Sequence, residues 1–344
     1  MRVTRFRWWA VTVVATLAAW PAPVWAQGRP QKGRAVAETI AYRGWKDNLR
    51  IANGDAELIV TLEVGPRILS YRLADGVNVF KEFEGHLGKS GEAGWLARGG
   101  HRLWSWPEDP KRTYYPDNGP VAHREVSPGV IRFTPAPDGP FGLRREFDVA
   151  LAPSGSKVTI THRIHNLGDT PTELAPWALT VMAPGGVEVI PLPPKRPHPG
   201  GPENARSAAD FAPSQVLAVW PFFDFKDPRW TFGSDAILLR QDPAAAGPTK
   251  LGLANTAGAV AYLNKGTLFI KRFPYDANAR YPDGGVNYET FSNADMAELE
   301  SLGPVVTLAP GHFVEHVERW ELIGGLPATA DSTAIEADVL PRIR

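Results

Sequence analysis

The sequence predicts a single large antiparallel β-sandwich. Nearly every regular segment alternates apolar and polar residues with a period of two, which is the pattern of a strand with one buried face. In the segment that begins at Ala56, for example, Leu58, Val60 and Leu62 share one face, whereas Glu57 lies on the other. Turn residues separate these segments, no segment has a convincing amphipathic helical pattern, and no repeat of fixed length is present. A sandwich is therefore favoured over a propeller or a barrel.

Turns join several of these segments into predicted β-hairpins. Residues 143–151 return as residues 157–164 after a proline-serine-glycine turn. Residues 259–263 return as residues 267–273 around Asn264-Lys265-Gly266, and both spacings are typical of hairpins.

One domain accounts for the strands, and we assign it to residues 38–325. We expect residues 27–37 to be a flexible segment and residues 326–344 to be a flexible tail, because neither has a core pattern. Two long loops interrupt the strands: residues 84–100 are rich in glycine, and residues 184–228 are rich in proline and aromatic residues. The aromatic residues indicate that the second loop packs against the domain, and long ordered loops are often functional.

Residues 1–26 are predicted to be a secretory signal peptide. Basic residues come first, an apolar stretch from Trp8 to Trp20 follows, and cleavage is expected after Ala26. The stretch has about 13 residues, fewer than the roughly 20 needed to span a bilayer. We therefore expect a periplasmic or secreted protein that has no membrane contact after cleavage.

The composition excludes several classes of function. The chain has 37 basic and 37 acidic residues, and the predicted cleavage removes three arginines, so no basic surface for nucleic acid is expected. The absence of cysteine excludes disulfides, thiolate metal sites and a thiol nucleophile. No phosphate-binding loop and no Gly-x-Ser-x-Gly motif occurs, so we predict no cofactor.

The densest group of unusual residues lies at positions 99–118. It combines His101, Arg102, Trp104 and Glu108 with tyrosine, aspartate and asparagine. Sugars have an apolar C–H face that stacks on aromatic rings and a rim of hydroxyls that bind planar donors and acceptors. The cluster is therefore a candidate sugar site, and its alternative is a core strand followed by a polar turn.

A second candidate group lies at residues 287–304. Glu298 and Glu300 point the same way on a strand, and two carboxylates on one face raise at least one pKa, which suits a general acid or base. Glu289 in the same segment is a candidate substrate contact, and the alternative is a solvated strand face. We predict no metal site, because His162 and His165 face opposite ways on a strand.

Three stretches resemble galactose mutarotase-like (aldose 1-epimerase-like) proteins. Residues 53–71 contain Gly65-Pro66-Arg67-Ile68, residues 165–177 look like a strand pair in the middle of that domain, and residues 298–322 begin with Glu298-Leu299-Glu300-Ser301. Within that superfamily, Gly99-Gly100-His101-Arg102-Leu103-Trp104 and Trp106-Pro107-Glu108 are most similar to the domain of unknown function 4380 (DUF4380) group.

The resemblance implies an antiparallel β-supersandwich with a sugar cleft. In mutarotases a glutamate removes the anomeric hydroxyl proton and a histidine protonates the ring oxygen. Glu300 matches that glutamate best, and Glu298 is the alternative. Trp177 stands where the acid histidine is expected, and it cannot donate that proton. His101 is then either a substitute acid or the match of the second, substrate-contacting histidine.

We therefore predict a carbohydrate-binding or carbohydrate-modifying protein. The residues expected to line its cleft are Arg67, His101, Arg102, Trp104, Glu108 and Trp177. Arg67 and Arg102 are suited to hold the carboxylate of an acidic sugar. Two alternatives remain open: an aldose 1-epimerase or polysaccharide-lyase-type enzyme, and a non-catalytic envelope scaffold. The scaffold alternative predicts that His101, Glu298 and Glu300 do not converge.

Overall fold

The fold is a pair of antiparallel β-sheets. A computed structural model describes residues 35–327 and 332–344, so the predicted signal peptide, residues 1–26, lies outside the described residues. Every pairing between neighbouring strands in the described part of the chain is antiparallel. Alternating side chains let each strand contribute one face to the space between the sheets. The predicted sandwich architecture is confirmed.

The sheet that carries the site, here called the front sheet, has eleven strands within the described residues. Their spatial order is β1 (Val36–Tyr42), β2 (Trp45–Ala52), β3 (Ala56–Thr61), β4 (Ile68–Leu73), β5 (Gly100–Trp106), β10 (Thr172–Met182), β19 (Ala297–Leu302), β18 (Tyr288–Ser292), β15 (Thr249–Leu253) and β12 (Leu217–Val219), with β20 (Val306–Leu308) also paired to β10.

The second sheet, here called the back sheet, has ten strands within the same described ranges. Their order is β13 (Trp230–Phe232), β14 (Ala236–Arg240), β11 (Val187–Pro191), β16 (Ala259–Asn264), β17 (Thr267–Arg272), β21 (Phe313–Ile323), β9 (Val158–Asn166), β8 (Leu143–Leu151), β7 (Val130–Pro135) and β6 (Val121–Ser127).

The predicted hairpins are confirmed by the strand registers. In the β8–β9 hairpin, Leu151 pairs with Val158. In the β16–β17 hairpin, Asn264 pairs with Thr267, so Lys265 and Gly266 form a two-residue loop. Both loop residues have positive φ angles, of 48° and 76°, as the tight hairpin turns that match strand twist require.

The main core fills the space between the sheets. Leu58 and Leu299 from the front sheet belong to the same buried cluster as Phe147, Phe269 and Trp320 from the back sheet. Burial of such side chains contributes roughly 1.5–3 kcal/mol each relative to exposure. This core fixes which face of each front-sheet strand points inward, and so it determines which residues face the site.

Both chain ends of the domain are more ordered than the sequence suggests. Strand β1 begins at Val36, inside the segment expected to be flexible. Residues 332–344 of the expected flexible tail form α1 (Ser332–Asp338) and α2 (Leu340–Ile343). Ile335 and Val339 are buried against the outer face of the back sheet, where they cover residues such as Leu238. The apolar residues four apart form a helical stripe that packs on an otherwise exposed apolar face.

The two long loops also contain regular structure. Residues 184–228 include β11, β12 and one turn of 3₁₀ helix at Ala208–Asp210, and residues 84–100 begin with a 3₁₀ turn at Glu84–His86. None of the helices in the described residues is long and apolar enough to cross a membrane.

Candidate functional site

A cavity of about 360 Å³ opens on the outer face of the front sheet. We call it the tryptophan cavity. Its aromatic lining comprises Phe83, Trp95, Trp104, Tyr114, Trp177, Trp220, Phe222 and Phe291. Its charged lining comprises Arg102, Glu108, Lys250, Glu298 and Glu300. Its size lies at the lower end of small-molecule sites, which span roughly 300–1,000 Å³.

The strand register places the charged residues side by side. Leu179 on β10 pairs with Arg102 on one side and with Glu300 on the other, and Glu300 pairs in turn with Glu289 on β18. Cross-strand partners point to the same face of a sheet, so these four side chains form one row.

Rows on either side complete the floor. On one side, Val181, Glu298, Phe291 and Lys250 follow one another across β10, β19, β18 and β15. On the other side, Trp104 pairs with Trp177 across β5 and β10, and their ring centroids are 5.3 Å apart. Five neighbouring strands therefore build one surface that combines charges with aromatic rings.

Lys250 bridges two buried glutamates. Its Nζ lies 2.7 Å from Glu289 Oε2 and 3.2 Å from Glu300 Oε2, and it also lies over the rings of Trp177 and Trp220 at 4.8 and 4.6 Å. Trp177 donates its indole N–H to Glu300 Oε2 at 2.9 Å. These contacts hold Glu300 in a fixed orientation at the cavity floor.

Burial favours a bound proton on the group formed by Glu289, Lys250 and Glu300. It raises the pKa of Glu289 well above its usual value and also raises the pKa of Glu300, although Lys250 acts in the opposite direction on both. For Lys250, burial opposes the charge, but Glu300 and Glu289 more than offset it and the pKa is raised. One cation shared by two buried carboxylates therefore favours retention of a proton on the pair, which acid-base chemistry requires.

Arg102 forms the second ion pair of the cavity. Its Nη2 donates to Glu298 Oε1 at 3.0 Å, and its guanidinium lies over the rings of Trp104 and Trp95 at 4.2 and 5.5 Å. The side chain is only 5% exposed. Stacking on both rings fixes the plane of the guanidinium and therefore the direction of its donors.

Most of the predicted site residues meet in this cavity. Arg102, Trp104, Glu108, Trp177, Glu298 and Glu300 line it. Glu289 contacts it through Lys250. Glu298 and Glu300 converge on one cavity, whereas His101 does not join them, so the convergence that distinguishes an active site from a scaffold is met for the two glutamates only.

Arg67 lies behind the cavity wall instead of lining the cavity. Its side chain is fully buried, its Nε donates to Asp117 Oδ2 at 3.0 Å, and its Nη1 and Nη2 donate to the carbonyls of Ala97 and Leu96. Burial lowers its pKa to about 10. These bonds hold the glycine-rich loop that carries Trp95, so Arg67 supports the wall and does not meet a ligand in this cavity.

His101 lies on the opposite side of the front sheet. Successive side chains on a strand point to opposite faces, and because Arg102 faces the cavity, His101 faces the core. It is fully buried, with its ring centroid 4.7 Å from that of Trp320. Burial lowers its pKa well below the usual value. The expectation that His101 lines the cleft is wrong for this reason, and none of the protein's eight histidines lines the cavity.

The core around His101 is a buried hydrogen-bond network. His162 Nδ1 lies 2.9 Å from the carbonyl of His316, which only accepts, so His162 Nδ1 carries the proton and its Nε2 accepts from His101 Nε2 at 2.7 Å. His101 Nδ1 is 2.9 Å from the hydroxyl of Thr180. The chain of donors and acceptors orients the core residues beneath the cavity floor.

The same network brings together His101, His162 and Glu318, which the spacing of the sequence does not reveal. The 2.7 Å between the two ring nitrogens fits a hydrogen bond, because two nitrogens bound to one zinc ion at about 2.0–2.1 Å lie roughly 3.3 Å apart. Glu318 is also ion-paired to Lys271 at 2.7 Å and accepts from Trp320 at 2.8 Å. We therefore assign the group to core architecture.

The cavity residues that were not predicted from the sequence include Trp95, Trp220 and Lys250. Trp95 and Trp220 lie in the two long loops, whose path no periodicity describes. Lys250 lies on a short strand whose residues are all buried, and only its position beside β18 explains why a lysine is placed there. Gly252, two residues further on the same face, makes room for Trp220, since a Cβ at that position would lie 3.3 Å from its ring.

The fold is similar to that of several solved structures, all at low sequence identity. The Slr1438 protein from Synechocystis sp. PCC 6803 is 12% identical, with a TM-score of 0.51 over 87% of this chain and 99% of its own. A TPR-domain containing protein from Parabacteroides distasonis is 12% identical, with a TM-score of 0.53 over 86% of this chain and 51% of its own. A galactose mutarotase-like protein from Lactobacillus casei is 13% identical, with a TM-score of 0.45 over 80% of this chain and 100% of its own.

The structural neighbours thus include galactose mutarotase-like and aldose 1-epimerase-like proteins at low identity. The two antiparallel sheets agree with the all-β sandwich class expected from the sequence. At such identities the likeness concerns the fold alone. No protein-family model and no curated protein sequence matches the chain.

Proposed function

We propose that the tryptophan cavity binds a carbohydrate of one or two sugar units. The observation that carries this proposal is the placement of Trp104 and Trp177 beside Arg102, Glu298 and Glu300 on one sheet face. Aromatic rings stack on the C–H face of a sugar ring, and the paired carboxylates and cations form directional hydrogen bonds with its hydroxyls. A cavity of about 360 Å³ suits a small ligand.

Two finer statements belong to this proposal. The first is export: the predicted signal peptide would put the protein in the periplasm or outside the cell, where sugars from the medium arrive. The second is membership of the DUF4380 group, which rests on Gly99-Gly100-His101-Arg102-Leu103-Trp104 and Trp106-Pro107-Glu108. Release of the first 26 residues on secretion, read by mass spectrometry of the exported protein, tests the first.

Binding is tested by a thermal-shift screen of the purified protein with neutral aldoses, uronic acids and short oligosaccharides at millimolar concentration, followed by calorimetric titration of the hits. We expect at least one sugar to raise the midpoint of unfolding, because a ligand that binds only the folded state stabilises it. Absence of any shift and of any heat of binding across the panel would overturn the proposal.

A second candidate function is sugar isomerisation by acid-base catalysis, and the specific observation in its favour is the Glu289-Lys250-Glu300 group. In this scheme Glu300 takes the proton of the anomeric hydroxyl, the bond from C1 to the ring oxygen breaks as the C1 carbonyl forms, and the ring oxygen receives a proton from solvent water. A histidine acid is not required. A polysaccharide-lyase activity would use the same base on a proton next to a uronate carboxyl group.

Two assays separate these activities from binding alone. Relaxation of optical rotation with fresh glucose or galactose reports ring opening, and absorbance at about 235 nm reports the unsaturated product of a lyase. Glu300→Gln is the matched control, since it keeps the size of the side chain and removes the base. If the wild type gives no signal in either assay, the enzyme candidate is withdrawn and binding remains.

A further inference from the structure

A second cavity, of about 220 Å³, lies beside the tryptophan cavity. We call it the arginine cavity. Trp95, Arg102 and Trp104 line both cavities, so the two cavities adjoin at these three side chains. On its far side the arginine cavity is lined by Asp117, Asp138 and Arg145 and by several prolines.

Arg102 has hydrogen-bond donors without a partner where the two cavities adjoin. Its Nη2 is occupied by Glu298 in the tryptophan cavity, but its Nε and Nη1 are buried without a hydrogen-bond partner among the described residues. Buried guanidinium N–H groups nearly always have a partner, because an unmade hydrogen bond to a charged group costs stability. The N–H groups of these two nitrogens are therefore suited to an acceptor that enters from the adjoining space.

Arg145 offers a further donor on the opposite wall. Its Nη1 is paired with Asp138, and its Nη2 makes only long contacts, both of 3.4 Å, to the hydroxyl of Ser105 and the carbonyl of Arg112. Its Nε is buried and lacks a partner within the described ranges. Asp138 thus occupies only one of the three guanidinium nitrogens of Arg145, and the other two can still donate to a ligand.

Two buried arginines lie behind the lining of the arginine cavity. Asp117, the other acid of the lining, is already held by the buried guanidinium of Arg67 at 2.9 Å. Arg98, which is fully buried nearby, binds Glu92 and Asn118 through Nη2, and its other two nitrogens have no partner among the described residues. In contrast, Glu108, Glu298 and Glu300 line the tryptophan cavity. Guanidinium nitrogens without a partner therefore lie on the arginine-cavity side of Trp104, where both aspartates of the lining are already paired with arginines. Three carboxylates line the other side.

We propose that the arginine cavity receives the carboxylate of the ligand, so that the protein recognises a uronic acid or an oligosaccharide containing one. The hydroxylated ring lies against Trp104 and Trp177, and the carboxylate meets the free N–H groups of Arg102 and Arg145. Planar guanidinium donors match carboxylates in geometry and charge. This inference rests on the proposed function, since it assigns the class of sugar that the same site binds.

The test compares matched ligands by calorimetric titration of the purified protein: galacturonate against galactose and glucuronate against glucose, with the methyl ester of each uronate as an uncharged ligand of similar shape. We expect at least one uronate to bind about tenfold or more tightly than its aldose and its ester, as charged hydrogen bonds imply. The advantage should shrink between 50 and 500 mM salt, roughly as screening of partly exposed charges predicts.

Substitutions of Arg145 test whether the preference for uronates arises in the arginine cavity. Arg145→Gln should lower the ratio of uronate to aldose affinity by about tenfold, and Arg145→Lys should restore part of it. Arg124→Gln, at an exposed position on β6, is the matched control and should leave the ratio unchanged. Thermal unfolding of each variant, measured in parallel, shows whether the loss of the Asp138 pair has affected folding.

The outcomes separate this inference from the proposed function. Neutral sugars that bind as tightly as uronates, or a preference that survives Arg145→Gln in a folded protein, overturn the carboxylate site and leave sugar binding intact. A protein that binds neither class of sugar overturns the proposed function itself.

Discussion

Trp177 donates its indole N–H to Glu300 across 2.9 Å, which ties an aromatic wall of the tryptophan cavity to the buried carboxylate at its floor. Both residues were singled out from the sequence for separate reasons, and the register of β10 and β19 brings them together. The bond links two roles that sugar recognition needs, a surface for stacking and a fixed acceptor.

Trp177→Phe tests this link. The substitution keeps an aromatic ring and removes the donor, so we expect a loss of about 1–3 kcal/mol in the free energy of unfolding and weaker binding of the sugar hit. Urea denaturation and calorimetric titration measure the two effects. Trp106→Phe is the matched control, because the indole of Trp106 donates to an exposed aspartate, Asp283, and its loss should matter little.

Lys250→Met tests the role of the shared cation. Two buried carboxylates then lose the lysine that they share, and we expect a loss of about 3–5 kcal/mol in the free energy of unfolding at pH 7. The loss should shrink as the pH falls toward 4.5, because the unfolded chain then also protonates Glu289 and Glu300. Lys157→Met, at a mostly exposed lysine paired with Glu321, should change stability by less than about 1 kcal/mol. A penalty independent of pH would contradict the account.

Glu188 is expected to make the stability of the fold decrease between about pH 4.5 and pH 8. It lies in the core, accepts hydrogen bonds from Tyr288 and Thr290 at 2.6 Å each, and burial raises its pKa to about 8. Above pH 4.5 the unfolded chain releases this proton, while the folded chain keeps it until about pH 8. Stability attributable to this group is therefore lost as the pH rises through that interval, by up to about 1.4 kcal/mol per pH unit.

Glu188→Gln removes the titration. Relative to the wild type, the free energy of unfolding of this variant should rise between pH 5 and pH 8 and stay level above that range. Urea denaturation at four or five pH values measures the difference. A difference that stays constant across the series would show that Glu188 titrates normally in the folded protein.

His101→Gln tests its assignment to the core. The variant disturbs the bonds to His162 and Thr180, so we expect a loss of about 1–3 kcal/mol in stability but sugar affinity within about twofold of the wild type. Arg102→Gln, one residue further along β5, should instead weaken sugar binding by tenfold or more. Equal losses of affinity in the two variants would contradict the assignment.

The fold was predictable from sequence because period-two alternation reports strands directly, and the turn of Asn264-Lys265-Gly266 fixes a hairpin locally. The order of the strands was not predictable. Leu179 lies between Arg102 and Glu300, which are separated from it by long stretches of chain, and no local pattern encodes such a pairing.

The site was predictable in part for the same reason. Alternation correctly places Glu298 and Glu300 on one face. The same alternation also places His101 and Arg102 on opposite faces of β5. The two residues therefore cannot line one cavity, although they are adjacent in the motif at residues 99–118. The C-terminal helices carry a signal as well: Ile335, Val339 and Ile343 recur every four residues, but the stripe is too short to indicate a helix without the sheet that it covers.

The central claim is that the tryptophan cavity binds sugar, and one titration tests it most directly. Calorimetry with the strongest hit should give one site per chain for the wild type. The affinity should be at least tenfold lower for Trp104→Ala, because the ring of Trp104 stacks on Arg102 and contacts Trp177 in the cavity. An unchanged affinity in a folded Trp104→Ala protein would contradict the account, because the sugar would then bind elsewhere.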